Sequence, residues 1–288
     1  MGDRARFLRW RVGDVTVTRV VELTSASIGG YILPQAPPDL VDRLPWLAPF
    51  ADPAKKLLMS FHSLVLQCRD ETFVVDTCIG NDKVRNYPRW NRMQSRFLDD
   101  FADAGFAVAA VDTVLCTHMH VDHVGWNTRL VEGRWEPTFE SARYLYAREE
   151  WTHWRATDQT EEYGPVIEDS VQPIFDAGLA DLVAADHAVS DEVRLEPTPG
   201  HTPGHVSVHI ASRGEEAVIT GDAIHHPCQI AHPEWSSTAD VDPDASAVTR
   251  RGLLERYADR PVLIIGTHFA GPTAGRVVRD GDAFRLDC

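Results

Sequence analysis

The sequence is poor in cysteine, in basic residues and in long apolar runs, and each shortage excludes a class of protein. Five cysteines in 288 residues, odd in number and without a CxxC pair, form neither a disulfide framework nor a thiolate zinc site. Lysine and arginine total 28 against 43 acidic residues, and the net charge of −15 argues against a nucleic-acid partner. No apolar run approaches transmembrane length, and residues 1–10 lack a signal-peptide core. We therefore predict a cytoplasmic protein without a membrane partner.

The sequence is rich instead in histidine, and one short stretch concentrates it. His118, His120, Asp122 and His123 follow the apolar run 111–116, which predicts a buried strand that ends at the cluster. Imidazole and carboxylate are ligands that borderline divalent cations prefer. Alternate side chains of an extended chain share a face, so we expect the first two histidines to bind one ion together and the later pair to face a second. A loop of solvated histidines is the simpler alternative.

Three further ligand residues lie beside predicted strands. His205 precedes the apolar run 206–210, Asp222 follows the run 217–220, and His268 follows the run 262–265. One sheet edge can gather these ends, and three imidazoles with one carboxylate suit a catalytic ion that keeps a position open for water. We predict two ions, the first bound by His118, His120 and His205, the second by Asp122, His123 and His268, with Asp222 bridging both.

Alternating and apolar runs predict strands in both halves of the chain. Residues 12–23 read as an early strand, and residues 63–67 and 72–75 predict a hairpin. Apolar residues at helical spacing predict helices over residues 92–106, 149–155, 165–177 and 244–257. We therefore predict one α/β domain over residues 1–288, in which two sheets pack together with helices outside.

Residues 24–60 differ from the rest of the chain because they combine many prolines with many large apolar side chains. This proline density excludes long regular elements, yet the segment is too apolar for a solvated linker. Two interpretations stay open: irregular cover for the core, or a lid or subunit contact over a site, the latter implying a homodimer.

The HxHxDH motif at 118–123, the TPGHTPGH stretch at 198–205, Gly221-Asp222 and His268 resemble, in kind and order, the metallo-β-lactamase superfamily. The resemblance extends from about residue 12 to the C-terminus and implies an αββα sandwich of two packed mixed sheets with the ligands at one edge. It implies that His205 is a ligand, that His201 is a non-ligand turn residue, and that Asp76 orients a ligand imidazole.

The resemblance also implies a mechanism and its cofactors. Two divalent ions, most often zinc with manganese, cobalt or iron as alternatives, would hold a shared hydroxide that attacks the scissile bond. One ion would polarise the carbonyl or phosphoryl oxygen under attack. Asp122 or Asp222 would pass a proton to the leaving oxygen.

Differences from known branches narrow the expected activity. Asp222 stands where β-lactamases of this fold usually have cysteine or serine. The sequence is most similar to lactonases, among them N-acyl-homoserine lactone hydrolases, and to methyl parathion hydrolase-like phosphotriesterases. Small lactonases carry a tyrosine three residues after the bridging aspartate; here it is His225, which either donates to the substrate oxygen or points to solvent.

We predict hydrolysis of a small-molecule lactone or carboxylic ester. Hydrolysis of aryl organophosphates is the alternative within the class, and a mononuclear iron persulfide dioxygenase is the alternative of another class.

The remaining aromatic and histidine residues have simpler interpretations. Trp126 and Trp235 either line an apolar pocket or pack in the core, while Trp151 and Trp154, three residues apart on one helix, are expected in the core. The histidines without partners by spacing are expected to be structural or surface residues: His62, His153, His187, His209 and His232.

Overall fold

Valine, isoleucine and leucine, which suit the pleated surface of a buried sheet, dominate the strands of the structure. The structure is a computed structural model that describes residues 7–157 and 159–288. The described chain divides into two compact units, Met1–Leu23 with Phe61–Ala184 and Thr24–Ser60 with Ala185–Cys288. Residues 1–6, within the stretch predicted to lack a signal core, lie outside the described residues. No described helix has the length and apolarity needed to cross a membrane.

The first unit is built on a seven-stranded mixed sheet with the order β1-β2-β3-β4-β5-β8-β9, and β6 pairs with β7 separately. The strands are β1 (Arg9–Val12), β2 (Val15–Ser25), β3 (Met59–Cys68), β4 (Glu71–Val75), β5 (Thr113–Leu115), β6 (Thr128–Val131), β7 (Arg134–Pro137), β8 (Arg143–Ala147) and β9 (Ala180–Val183). The predicted hairpin is confirmed, since β3 and β4 pair antiparallel with Leu64 opposite Val75. Because β4 and β5 run parallel, the residues that follow each strand emerge at the same sheet edge.

The second unit is built on a six-stranded sheet with the order β10-β11-β12-β13-β14-β15. Its strands are β10 (Val193–Pro197), β11 (Val206–Ser212), β12 (Glu215–Ile219), β13 (Val262–Ile265), β14 (Ala274–Asp280) and β15 (Ala283–Asp287). β12 and β13 are parallel, and β11 is antiparallel to β12 with Val208 opposite Ile219. The start of β11 and the ends of β12 and β13 therefore lie at one edge, as the sequence predicted for His205, Asp222 and His268.

Helices and helical turns connect the strands. They are α1 (Gly29–Ile32), α2 (Leu40–Arg43), a 3-10 helix (Pro45–Phe50), α3 (Phe97–Asp103), α4 (Arg148–Ala156), α5 (Thr160–Tyr163), a π turn (Ile167–Val171), α6 (Gln172–Asp176), α7 (Cys228–Ala231) and α8 (Pro243–Tyr257). Single 3-10 turns lie at Val108–Ala110, Gly125–Asn127 and Gly221–Ala223. The helices predicted over 149–155 and 244–257 are confirmed, and residues 165–177 are helical but include the π turn.

The helix predicted over residues 92–106 is wrong in its length, because α3 covers only its middle. Arg92 adopts a left-handed backbone conformation with φ +50°, which a right-handed helix excludes. The backbone N–H of Ser95 donates to Oδ1 of Asn81 at 2.7 Å instead of entering a helix. Phe97 and Phe101 are buried as the amphipathic pattern predicted.

The proline-rich segment 24–60 contributes to the core of the second unit. Leu33, Leu40 and Leu47 form a buried apolar cluster with Cys228, and Phe50 belongs to a second cluster under α8. Irregular core cover is therefore what the structure shows for this segment. Its roles as a lid or a subunit contact stay predictions.

We expect Gly125 to tolerate no side chain, because a Cβ there would lie 1.9 Å from the carbonyl oxygen of Ile79. Gly125→Ala should lower the free energy of unfolding by about 3 kcal/mol. The matched control is Gly252→Ala on the exposed face of α8, where a Cβ meets nothing within 4 Å; it should raise stability by about 1 kcal/mol. Urea denaturation measures both, and equal effects would contradict the close approach.

Candidate metal centre

The HxHxDH stretch follows β5 as predicted, and its imidazoles are buried. Nε2 of His118 lies 3.0 Å from Nδ1 of His120, so the first two histidines direct nitrogen atoms at the same point. Nε2 of His123 lies 3.8 Å from Oδ1 of Asp122. The three rings are at most 5% exposed, which makes the alternative of solvated loop histidines wrong.

One buried carboxylate determines the protonation of two of these rings. Asp76 follows β4, and its Oδ2 lies 2.8 Å from Nδ1 of His123. Because a carboxylate only accepts, Nδ1 of His123 carries the proton and Nε2 carries the lone pair. The hydroxyl of Thr117 donates to the same Oδ2 at 2.9 Å, so at 3.1 Å it accepts the Nδ1 proton of His118. Nε2 of His118 therefore also carries a lone pair.

Two further carboxylates, which the sequence patterns did not single out, hold this loop in place. Glu150 is 1% exposed, and its Oε1 accepts the backbone N–H of Met119 at 2.9 Å and the indole N–H of Trp154 at 2.6 Å. Glu22 accepts the indole N–H of Trp126 at 2.6 Å and the backbone N–H of Ile79 at 2.8 Å. Burial raises the pKa of the Glu22 carboxyl, while these hydrogen bonds oppose the rise.

In the second unit, the carboxylate of Asp222 lies among three histidines. Its Oδ1 is 3.2 Å from Nε2 of His268, and its Oδ2 is 3.2 Å from Nε2 of His225 and 3.5 Å from Nε2 of His201. The backbone N–H of Asp222 donates to Nε2 of His205 at 2.8 Å. The strand ends of this unit thus bring together the predicted ligands His205, Asp222 and His268.

Backbone carbonyls set the tautomers of the two predicted ligand histidines in the second unit. Nδ1 of His268 lies 3.0 Å from the carbonyl oxygen of Ser60, and Nδ1 of His205 lies 3.0 Å from that of Thr198. A carbonyl oxygen only accepts, so both Nδ1 atoms carry protons and both Nε2 atoms carry lone pairs. This is the pattern by which proteins orient metal-binding imidazoles.

The donor set therefore fits divalent metal ions. His118, His123 and His268 are buried and present lone-pair nitrogens, with Asp122 beside His123 and Asp222 beside His268. Nε2 of His205 lies in the same group of residues, where it accepts the backbone N–H of Asp222. Neutral imidazole and carboxylate without thiolate is the composition typical of catalytic zinc sites. Cys78 and Cys116 are buried nearby in the first unit, and burial raises their pKa, which opposes the thiolate form.

His201, which the resemblance implies is a non-ligand turn residue, has a buried acidic partner in the structure. Nδ1 of His201 lies 2.8 Å from Oδ1 of Asp240, and both side chains are buried. Asp240 also accepts the backbone N–H of Ser237 at 2.9 Å and lies 3.7 Å from the guanidinium of Arg250. Sequence reasoning missed Asp240 and Arg250, because neither lies in a motif.

His225 is buried rather than solvent-facing. Its side chain is 2% exposed, so the alternative that it points to solvent is wrong. Burial lowers the pKa of its imidazole, and the nearby Asp222 carboxylate partly offsets this. At neutral pH the ring is therefore neutral, with one N–H to donate.

Most of the other singled-out aromatic residues serve the core or its edge. Trp126 is 4% exposed and stacks on Phe97 at 5.7 Å between ring centroids, and Trp235 stacks on His232 at 4.0 Å. Trp154 is buried, but its ring lies 5.2 Å from that of His120, so it packs directly against the HxHxDH stretch, residues 118–123. The expected core position of Trp154 is thus observed, and the residue also contacts a predicted metal ligand, which the expectation did not include.

A family model described as the metallo-beta-lactamase superfamily matches residues 62–268. The probable metallo-hydrolase YybB of Bacillus subtilis (strain 168) is 25% identical over 180 residues, which cover 62% of this chain and 68% of that protein.

Two solved structures resemble this chain over nearly its whole length. AidC, a dizinc quorum-quenching lactonase, has a TM-score of 0.80 at 17% identity and covers 97% of this chain and 96% of its own. The hydrolase AbOPH, in the beta lactamase superfamily, has a TM-score of 0.79 at 21% identity and covers 98% and 97%. At these identities the structural likeness establishes the fold alone, and it confirms the predicted α/β class.

We expect Asp76→Asn to weaken metal binding, because an amide cannot hold both imidazoles in the tautomers that bind a metal. The affinity for zinc should fall by about 10–100-fold, measured by competition with a chromophoric chelator. Asp282→Asn, at an exposed position, is the matched control and should leave affinity unchanged. Unchanged affinity in Asp76→Asn, with the far-UV spectrum intact, would show that Asp76 does not orient the ligands.

Proposed function

The chain belongs to the metallo-beta-lactamase superfamily and is a metallo-hydrolase; from this we propose that it opens a lactone or cleaves a carboxylic ester with two divalent ions. The observation that carries the proposal is the set of buried imidazoles of His118, His123 and His268, whose Nδ1 protons are each held by an acceptor, leaving Nε2 for a metal. We propose zinc first, with manganese, cobalt or iron as alternatives, and seven ligands: His118, His120, Asp122, His123, His205, Asp222 and His268.

Two divalent ions, when bound, supply an activated water at neutral pH and polarise the scissile carbonyl. The side chains of the protein must then orient the substrate and move one proton. Asp122 and Asp222 are the carboxylates beside the ligand imidazoles, at 3.8 Å and 3.2 Å from Nε2 of His123 and His268 respectively. We assign one of them the transfer of a proton to the leaving oxygen, since an acyl-ester cleavage releases an alkoxide that needs one.

His225 is assigned the role of hydrogen-bond donor to the substrate. Its Nε2 lies 3.2 Å from Oδ2 of Asp222, which places the ring beside a proposed metal ligand. Neither ring nitrogen has a hydrogen bond of good geometry within the described part of the chain, although the ring is buried. A buried polar group without such a bond is costly unless a ligand completes it. A carbonyl oxygen of the substrate is an acceptor that matches the one N–H of a neutral imidazole.

The proposed lactone or ester specificity rests on the relatives and on the net charge of the whole chain. AidC is a lactonase, and the fold likeness to it makes lactones the first substrates to test. The net charge of −15 disfavours polyanionic substrates such as nucleic acids. We further propose a cytoplasmic enzyme, since all five cysteines are free thiols, and a homodimer contact through residues 24–60, where Tyr31 is 67% exposed.

We expect hydrolysis of lactones and carboxylic esters that requires two ions per chain. Removal of the ions by dialysis against a chelator should lower kcat/KM by about a thousandfold or more, because no side chain replaces the activated water. Zinc should restore it. The measurements are metal content by mass spectrometry and initial rates on a lactone panel and on paraoxon-type triesters.

The matched variants for this test are His268→Ala, at a proposed ligand, and His187→Ala, at a half-exposed histidine outside the centre. Only the first should lose an ion. Faster cleavage of the triesters would favour the organophosphate alternative. One iron per chain with oxygen uptake would favour the dioxygenase, and full activity in the stripped, folded protein would refute a metal-dependent hydrolase.

We expect His225→Leu to lower kcat by about 100-fold with little change in metal content, because it removes a donor to the developing oxyanion. His225→Gln, which keeps an N–H at a similar reach, should recover part of the rate. Steady-state kinetics and metal analysis of both variants make the test. Equal rates in His225→Leu and the parent protein would exclude a role in the reaction.

A further inference from the structure

The ring of His225 keeps its place in the second unit without a hydrogen bond of good geometry. Both ring nitrogens are buried without such a bond within the described residues. Oδ2 of Asp222 lies 3.2 Å from Nε2, and the ring of His201 packs against His225 at 4.8 Å between centroids. A functional imidazole usually takes its orientation from an acceptor at one of its nitrogens. The orientation of this ring must therefore come from packing and from the backbone that carries it.

A buried glutamine holds the backbone of His225. Oε1 of Gln229 accepts the backbone N–H of His225 at 2.7 Å, and Nε2 of Gln229 donates to the carbonyl oxygen of Trp235 at 2.8 Å. The side chain of Gln229 is fully buried. Because one contact needs an acceptor and the other a donor, only one orientation of the amide satisfies both. Both ends of the amide therefore bind backbone, and one of them binds the backbone of His225.

A buried arginine fixes the other end of this contact. Nη1 of Arg250 donates to the same carbonyl oxygen of Trp235 at 2.6 Å, and its Nε donates to the carbonyl oxygen of Ala223 at 2.7 Å. The side chain belongs to α8 and is 0% exposed. The guanidinium is planar with donors at fixed angles, so it sets the spacing of the two carbonyl groups. Arg250 thus fixes to α8 one residue before His225 and one residue after it.

The residue that follows His225 is anchored by its own side chain. Nδ1 of His226 accepts the backbone N–H of Cys228 at 3.2 Å, and its Nε2 donates to the carbonyl oxygen of Phe50 at 2.9 Å. Burial lowers the pKa of this ring to about 4, so near neutral pH it keeps one donor and one acceptor. Hydrogen bonds therefore hold the chain at Ala223, at His225 and at His226.

This arrangement fixes an imidazole and leaves its N–H available. A displacement of about 1 Å at a reacting group can cost about 100-fold in rate. A ring that donated its proton to the protein would be well placed, but a neutral imidazole has only one N–H to give. Holding the backbone of His225 instead restricts the ring and leaves that N–H for a ligand.

We propose that Gln229 is a positioning residue for His225, and that Arg250 fixes Gln229 through their shared acceptor, the carbonyl oxygen of Trp235. Gln229 acts only through the backbone of His225 and has no contact with the substrate in this assignment. The effect on catalysis rests on the role of His225 in the proposed function, whereas the effect on the backbone of His225 does not.

The kinetic test is a double-mutant cycle between Gln229 and His225. Gln229→Met, of similar shape but without either hydrogen-bonding group, should lower kcat about tenfold and leave KM and metal content within about twofold. In the His225→Leu protein the same substitution should lower kcat by less than about twofold, because the ring that it positions is gone. A glutamine that only stabilises the fold would lower kcat by the same factor in both proteins, and that result would overturn the proposal.

The backbone test does not depend on activity. Hydrogen exchange of the His225 amide, followed by nuclear magnetic resonance, should be about tenfold faster in Gln229→Met, because the acceptor of that N–H is gone. Arg250→Lys keeps the charge but loses the fork that bonds two carbonyl groups, so it should also accelerate this exchange and lower kcat about tenfold. Arg251→Lys, at the exposed neighbour on α8, is the matched control and should change neither quantity.

A second control separates positioning from loss of stability. Ile210 is fully buried in β11 and takes part in none of these hydrogen bonds, so Ile210→Ala should lower the midpoint of thermal unfolding and leave kcat within about twofold below it. An equal loss of kcat in Ile210→Ala, or unchanged exchange of the His225 amide in Gln229→Met, would refute the positioning role. Faster exchange in a protein that cleaves no lactone or ester would refute the proposed function and support the backbone assignment.

Discussion

The centre in the first unit depends on one buried carboxylate. Asp76 is 1% exposed and has a left-handed backbone with φ +56°, a conformation that aspartate tolerates better than most residues. Burying its charge is costly unless donors surround it, and Thr117 and His123 provide them. The hydrogen bonds that stabilise the carboxylate also fix the tautomers of His118 and His123, so the same contacts serve stability and metal binding.

The second unit reaches the same result through backbone carbonyls, with the hydroxyl of Thr198 also 2.8 Å from Nδ1 of His205. Backbone carbonyls of Ser60 and Thr198 hold the Nδ1 protons of His268 and His205, and no substitution removes a carbonyl. Side chains instead surround Asp222, and one of them is His201, which forms a buried pair with Asp240. The predicted ligands are therefore oriented by a replaceable side chain in the first unit and mainly by the main chain in the second.

Buried polar contacts hold two segments of the first unit in place. Buried ion pairs to Asp169 hold the π turn. Glu150 holds both Trp154 and the HxHxDH stretch, residues 118–123. The pairing is not complete, since Nε of Arg85 is buried without a hydrogen-bond partner in the described part of the chain.

Local patterns in the sequence determined the β3–β4 hairpin, α8 and the strand ends that carry the ligand residues, because a period of two or of 3.6 residues records which face is buried. They failed for α3, where the contact of Ser95 with Asn81 replaced the first turns of the helix. Only the tertiary structure decided which distant residues hydrogen-bond to the segments that carry the predicted metal ligands. Glu22 and Trp126 are 104 residues apart, and Glu150 meets Met119 across 31 residues; a single hydrogen bond between distant residues leaves no period in the sequence.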